Sequence, residues 1–99
     1  MARLVPAKAA LATERIAAEV GPGPGTLLEL GCAGIHAPVL ALLGWDVTVA
    51  DEGAALARAR ERAGDFARVI SINELGNAIF DVVVGDERAA RYGRRRVAP

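Results

Sequence analysis

The sequence predicts an α/β domain built on a parallel sheet of about four strands, in the order 3-2-1-4, with an N-terminal helix and flanking helices. Three observations predict it. Thr26–Leu30 (TLLEL) is an apolar run of strand length with turn formers on both sides. It is followed by a small-residue turn, a short helix over 35–43 and a β-branched second strand at Asp46–Asp51 (DVTVAD). The alternation then continues with a helix over 54–63 and strands over 67–72 and 79–84. Strands alternating with helices imply a parallel sheet, and right-handed crossovers place the third strand outside the second and the fourth beside the first.

Taken in order, residues 1–5 are a lead-in and Pro6 suits the first position of a helix, where a missing N–H costs nothing. The helix over 6–20 is alanine-rich, with Ala9, Ala12, Ile16 and Val20 on one face and Lys8, Thr13 and Glu14 placed elsewhere on the wheel. Gly21-Pro22-Gly23-Pro24-Gly25 ends it. This loop lacks the Gly-Lys-Ser/Thr ending of a phosphate loop, so a nucleoside-triphosphate site is rejected. Trp45 is expected to pack at the junction of the second helix and strand. The third helix turns Leu56, Ala59 and Ala63 to the sheet, with Gly64 as its cap. Residues 73–77 are a polar connection with room for one helical turn at most. A short helix over 87–92 precedes a basic tail at 93–99.

The 99 residues read as one domain, with a βαβ core at 26–86, and at 53% hydrophobic they can build a core. Twelve basic residues balance twelve acidic ones, so net charge points to no polyanionic partner. The single cysteine rules out an internal disulfide and suits a reducing compartment. No run approaches the roughly 18 apolar residues of a membrane span. Lys8, Glu14 and Arg15 break up any signal-peptide pattern. The expectation is a soluble, cytoplasmic protein with no membrane association.

The chemistry concentrates where the first two strands end. Small residues at Gly31-Cys32-Ala33-Gly34 let a ligand approach backbone, and the helix that follows offers unpaired N–H groups. Asp51 lies twenty residues beyond Gly31, the spacing at which a strand-end acid reaches ribose hydroxyls. As a strand-end acid it is expected outside the core.

Leu28-Glu29-Leu30-Gly31-Cys32-Ala33-Gly34 resembles motif I of the class I S-adenosylmethionine-dependent methyltransferases, an acid followed by a glycine-rich loop. Val47–Asp51 is similar to their motif II, and Phe80-Asp81-Val82-Val83-Val84 looks like the strand closing the cofactor side of the sheet. The likeness covers roughly Pro6 to Asp86. It implies a Rossmann-like fold, here abbreviated, with S-adenosylmethionine as cofactor and methyl transfer as the activity. It further implies that Glu29, Gly31, Cys32, Ala33 and Gly34 line the methionine portion, that Asp51 and Glu52 meet the ribose, and that Asn73 edges the adenine. The family pattern has glycine at positions 33 and 35, where this chain has Ala33 and Ile35. A β-branched isoleucine disfavours positive φ, so Gly34 is expected to take over the turn.

Two rivals stand beside this. In a dinucleotide fingerprint the three glycine positions fall on Gly31, Ala33 and His36, and the histidine obstructs the close helix–strand approach. The other is a non-catalytic half-Rossmann binding or interaction module. Cys32 also reads as a small buried residue, His36 as a structural histidine, and Asp86 as an ordinary turn residue or one on the acceptor side. No metal site is expected, since one cysteine and one histidine cannot close a zinc cluster. The arginines at 88, 91, 94, 95 and 96 read as a solvated run that leaves nucleic-acid contact open. With the fourth strand at an edge and the chain too short for a fifth, a homodimer through residues 79–84 is expected.

Overall fold

A computed structural model of the chain describes residues 7–99. Pro6, expected to open the first helix, lies outside the described residues. Five strands form one all-parallel sheet: β1 (Thr26–Leu30), β2 (Asp46–Asp51), β3 (Arg68–Ser71), β4 (Phe80–Val84) and β5 (Gly93–Val97), in the order β3-β2-β1-β4-β5. The order 3-2-1-4 is as expected, and a fifth strand extends it.

Three helices cover one face of the sheet: α1 (Ala7–Val20), α2 (Ala37–Leu42) and α3 (Gly53–Ala63). Leu27, Val47, Val49, Val82, Val84 and Val97 meet Ile16, Val20, Ala37, Leu40, Ala59 and Ala63 there, all buried. The other face is built differently. Leu28, Leu30, Ala50 and Val83 pack under Leu75 and Ala89, which belong to or adjoin two short 3-10 turns at Ile72–Glu74 and Glu87–Tyr92. The side change follows from handedness: β1-α2-β2 and β2-α3-β3 run one way across the sheet, while the connections into β4 and β5 run the other way.

Two expectations are corrected. The tail at 93–99 is a strand over Gly93–Val97, parallel to β4. Arginine patterning hid it, yet charged side chains suit an edge strand, whose outer row of backbone groups must be kept from other chains. Val97 is buried in the main core, Arg95 donates to the Glu19 carbonyl, and Arg15 donates to the Ala98 carbonyl at 3.0 Å, so β5 is tied to the end of α1. In consequence β4 lies inside the sheet, and the edge that motivated a dimer through 79–84 is covered by β5. Among the described residues the free edges are β3 and β5. Thr13 is the second correction: it points inward, 7% exposed, on the same face as Ile16 and Val20.

Trp45 packs against the main core, as expected, and its indole N–H donates to the Gly21 carbonyl at 2.9 Å, satisfying its one polar atom. At the amino end of the sheet, Asp81 accepts the Thr26 N–H at 2.9 Å and the Asp81 N–H donates to Thr26 Oγ1 at 3.0 Å. This pair holds the start of β1 against β4, and both strands carry the site at their far ends.

Candidate functional site

The carboxyl ends of parallel strands are where such folds present ligand-binding loops, above all where neighbouring connections leave on opposite faces. Here that point lies between β1 and β4. The loop after β1 runs from Gly31 to His36, and the turn after β4 from Gly85 to Arg88.

Glu29 takes the inward position after Leu27 on the helix-covered face of β1 and is 0% exposed. Its Oε2 accepts the His36 N–H and its Oε1 the Ala37 N–H, both at 3.1 Å. The carboxylate thus satisfies two of the orphan donors at the start of α2, a service usually given by a cap side chain. Burial nevertheless dominates and pushes its pKa up to about 7; the two backbone N–H groups pull the other way.

Asp51 plays the matching part at the end of β2. Its Oδ2 accepts the Ala33 N–H at 2.9 Å and its Oδ1 the Glu52 N–H at 3.2 Å. At 4% exposed it belongs to the packed interior, against the expectation for a strand-end acid. Arg62 of α3 donates to the Ala33 carbonyl at 3.4 Å from the other side.

These contacts fix an unusual backbone. Ala33 has φ +53°, flanked by Gly31 at +77° and Gly34 at +75°. The left-handed position falls on alanine as well as on Gly34, while Ile35 avoids it. Gly34 has a second reason to be glycine. A Cβ there would stand 3.1 Å from both Ala59 Cα and Ala63 Cβ, so the turn packs directly on α3. The alanines of α3 are small where the turn lies on them.

Cys32 is half-buried, with its Sγ 3.7 Å from the Leu30 carbonyl oxygen. Burial, with Glu29, Asp51 and Asp86 adding, pushes its pKa up to about 12, so the thiol stays protonated and is no nucleophile at neutral pH. His36 is 5% exposed, and its Nδ1 lies 2.6 Å from Thr13 Oγ1. Burial, then Arg15, lowers its pKa below the ordinary value, which keeps the imidazole neutral. No sequence signal in α1 marks Thr13 as its partner.

The remaining site residues face water. Gly31 and Glu52 are exposed, and Glu52 occupies the N-cap position of α3 with extended backbone. Asn73 is exposed in the turn after β3, where Ser71 Oγ accepts the Asn73 N–H and Glu74 reaches back to the Ser71 N–H, each at 3.3 Å. Glu29, Gly31, Cys32, Ala33, Gly34, Asp51, Glu52 and Asn73 therefore fall along the carboxyl ends of β1, β2 and β3. Sequence reasoning missed Arg88. A Cβ on Gly31 would lie 3.5 Å from its Nη2, and its Nε donates to both Asp86 oxygens, at 3.2 and 3.1 Å. Asp86, Glu87, Arg88 and Arg96 line an open depression of about 380 Å³ beside the turn. Counting only cysteine and histidine also missed a cluster: one donor atom each from Glu29, Cys32 and His36 lie within 4.8 Å of one another.

No protein-family model matches the chain, and no curated protein matches it significantly. Solved structures do. A glycopeptide N-methyltransferase, MtfA, is 24% identical with a TM-score of 0.60, over 77% of this chain and 38% of its own. A TehB-like SAM-dependent methyltransferase from Corynebacterium glutamicum is 20% identical with a TM-score of 0.58, over 79% of this chain and 45% of its own. A cyclopropane-fatty-acyl-phospholipid synthase-like protein from Lactobacillus casei is 25% identical with a TM-score of 0.52, over 78% and 37%. The match therefore spans less than half the length of each of these three structures. The likeness establishes the fold: a Rossmann-like α/β sheet of the kind found in SAM-dependent methyltransferases. Among the described residues, no helix is long and apolar enough to cross a membrane.

Proposed function

We propose that this domain binds S-adenosylmethionine across the carboxyl ends of β1, β2 and β3 and serves methyl transfer. The observation that carries the reading is the 2.9 Å bond from the Ala33 N–H to Asp51 Oδ2, which joins the turn after β1 to the acid at the end of β2, at the carboxyl ends of the strands and beside the switch between β1 and β4. In this reading Gly31, Cys32, Ala33 and Gly34 present backbone to the methionine portion. Asp51 offers its remaining lone pairs, and Glu52 its exposed carboxylate, to the ribose hydroxyls. Asn73 edges the adenine. Glu29 acts as a positioning residue, holding the start of α2 and hence the turn.

The charge of the crevice favours this cofactor over a dinucleotide. Asp51 and Glu52 gather at the strand ends, where a sulfonium and an amino group are attracted and a pyrophosphate is repelled. The cofactor, when bound, supplies the activated methyl group. The chain supplies position: catalysis of this kind rests on holding acceptor and sulfonium in line. The acceptor side is the open depression at Asp86–Arg88, on the β4 side of the turn.

Calorimetry of the full chain with S-adenosylmethionine and S-adenosylhomocysteine tests the reading. Saturable binding of both is expected, weakened about tenfold or more in Asp51→Asn, since a hydrogen bond to a charged acceptor contributes roughly 1.5–3 kcal/mol. Neither heat nor thermal shift at millimolar ligand would favour the non-catalytic binding module instead.

A further inference from the structure

Glu29, Cys32 and His36 reach one place from three consecutive pieces of chain: the inward position of β1, the turn, and the residue before α2. We propose that they form a binding site for a thiophilic divalent metal ion of the zinc class, with the Glu29 carboxylate, Cys32 Sγ and His36 Nε2 as protein ligands and a fourth position open to water. The site does not depend on cofactor binding.

One donor atom from each residue, for His36 a ring nitrogen, lies within 4.8 Å of the other two. Ligand atoms around a tetrahedral zinc ion stand about 3.5 Å apart, given its usual bond lengths, so closure needs about 1 Å of side-chain adjustment. One sulfur, one nitrogen and one oxygen suit zinc, whereas magnesium and calcium prefer oxygen alone. Charge also balances: a thiolate and a carboxylate cancel a divalent ion, and the imidazole adds none. Glu29 is fully buried, and among the described residues neither ion pair, Arg15–Glu19 or Arg88–Asp86, involves it. Its two oxygens are hydrogen-bonded only to neutral backbone N–H groups among the described residues, and a cation would add a charged partner at close range.

The ligands are also held from behind. Thr13 Oγ1 donates its only proton to the Ala9 carbonyl at 2.9 Å, so its 2.6 Å contact with His36 Nδ1 is one in which the ring N–H donates. That tautomer leaves the Nε2 lone pair for a metal. Metal-binding histidines are commonly oriented in this way, through the ring nitrogen that does not bind the ion. The His36 and Ala37 N–H groups likewise orient the Glu29 carboxylate, and each oxygen keeps a second lone pair for the ion. Among the described residues Cys32 Sγ makes one weak S–H hydrogen bond, to the Leu30 carbonyl, which deprotonation on metal binding releases. An ion here would staple the turn to β1 and, through Thr13, to α1.

Cobalt titration of the chelator-treated full chain, without cofactor, tests this directly. The expected result is a saturating thiolate-to-cobalt charge-transfer band with visible bands of tetrahedral intensity, displaced by zinc. Cys32→Ser, checked for native circular dichroism, should abolish the charge-transfer band. Thr13→Val should keep the band and weaken zinc binding about tenfold or more, the usual cost of losing an orienting partner. A featureless cobalt titration of the folded wild type overturns the proposal, as does a cobalt spectrum that survives Cys32→Ser. Failure here leaves the S-adenosylmethionine reading standing, because that is read by calorimetry with a different ligand.

Discussion

At the carboxyl ends of β1 and β2, all four carboxylate oxygens of Glu29 and Asp51 accept backbone N–H groups of their own chain. At the carboxyl end of β4, the acid and base of the turn face water: Asp86 and Arg88 pair with each other at 3.1 Å with both side chains more than half exposed. The first region is a built cradle, with its buried carboxylates committed to backbone and its turn strained. The second is an open rim. The difference shows that acids matching a cofactor motif can be committed first to shaping the backbone that a ligand would meet. It also separates residues whose loss disturbs the fold from those whose loss disturbs only an encounter.

The largest effect belongs to the cradle. Gly34→Val should cost about 3 kcal/mol or more, since left-handed backbone costs a non-glycine residue roughly 1–2 kcal/mol and forcing bulk into a packed core adds 1–3. Urea denaturation of wild type and variant checks it. Gly31→Ala, at similar φ but with only the end of Arg88 nearby, should cost less than half as much. Equal costs would mean that the turn does not press on α3.

Glu29 gives the second. Its pKa lies at about 7 in the fold against an ordinary 4.5. Below about 4.5 both folded and unfolded chains hold the proton. Between 4.5 and 7 only the folded chain does, so stability falls as pH rises through this window, by about 3 kcal/mol in all. Denaturation in chelator at pH 5 and pH 8 should show that loss in wild type, and Glu29→Gln should flatten it. An undiminished slope in the variant would place the pH dependence elsewhere.

A smaller gain is expected at Ala33. With φ +53°, Ala33→Gly should stabilise by about 0.5–1 kcal/mol, the relief of left-handed strain less the entropy that glycine adds to the unfolded chain. Thermal melts decide it, and a loss would mean that the alanine methyl packs. At the open rim, Arg88→Ala should leave the melting temperature unchanged, because exposed pairs contribute little. A clear drop would show that Arg88 belongs to the cradle after all.

The strands β1, β2 and β4 were legible because they are mostly buried and rich in apolar and β-branched residues. The turn was legible from its small residues. β5 was not, since Arg94, Arg95 and Arg96 mask a strand whose only buried side chain is Val97. Nor were the roles of the site acids. Sequence spacing placed Glu29 and Asp51 beside the turn, but only the fold shows that their oxygens are taken up by its N–H groups. Thr13 escaped because its partner His36 lies 23 residues away. Gly34 was expected to take over the turn from Ile35 and does have positive φ, but the sequence did not show that Ala33 shares the left-handed backbone.

The central claim, that the cradle and not the rim receives S-adenosylmethionine, is tested most directly by amide chemical-shift mapping of the 10.3 kDa chain during titration with the cofactor. The expected result is saturable shifts concentrated at Gly31–Ile35, Asp51–Gly53 and Ser71–Glu74, with smaller ones at Gly85–Arg88. Shifts confined to residues 86–96, or none at millimolar cofactor, would contradict the claim.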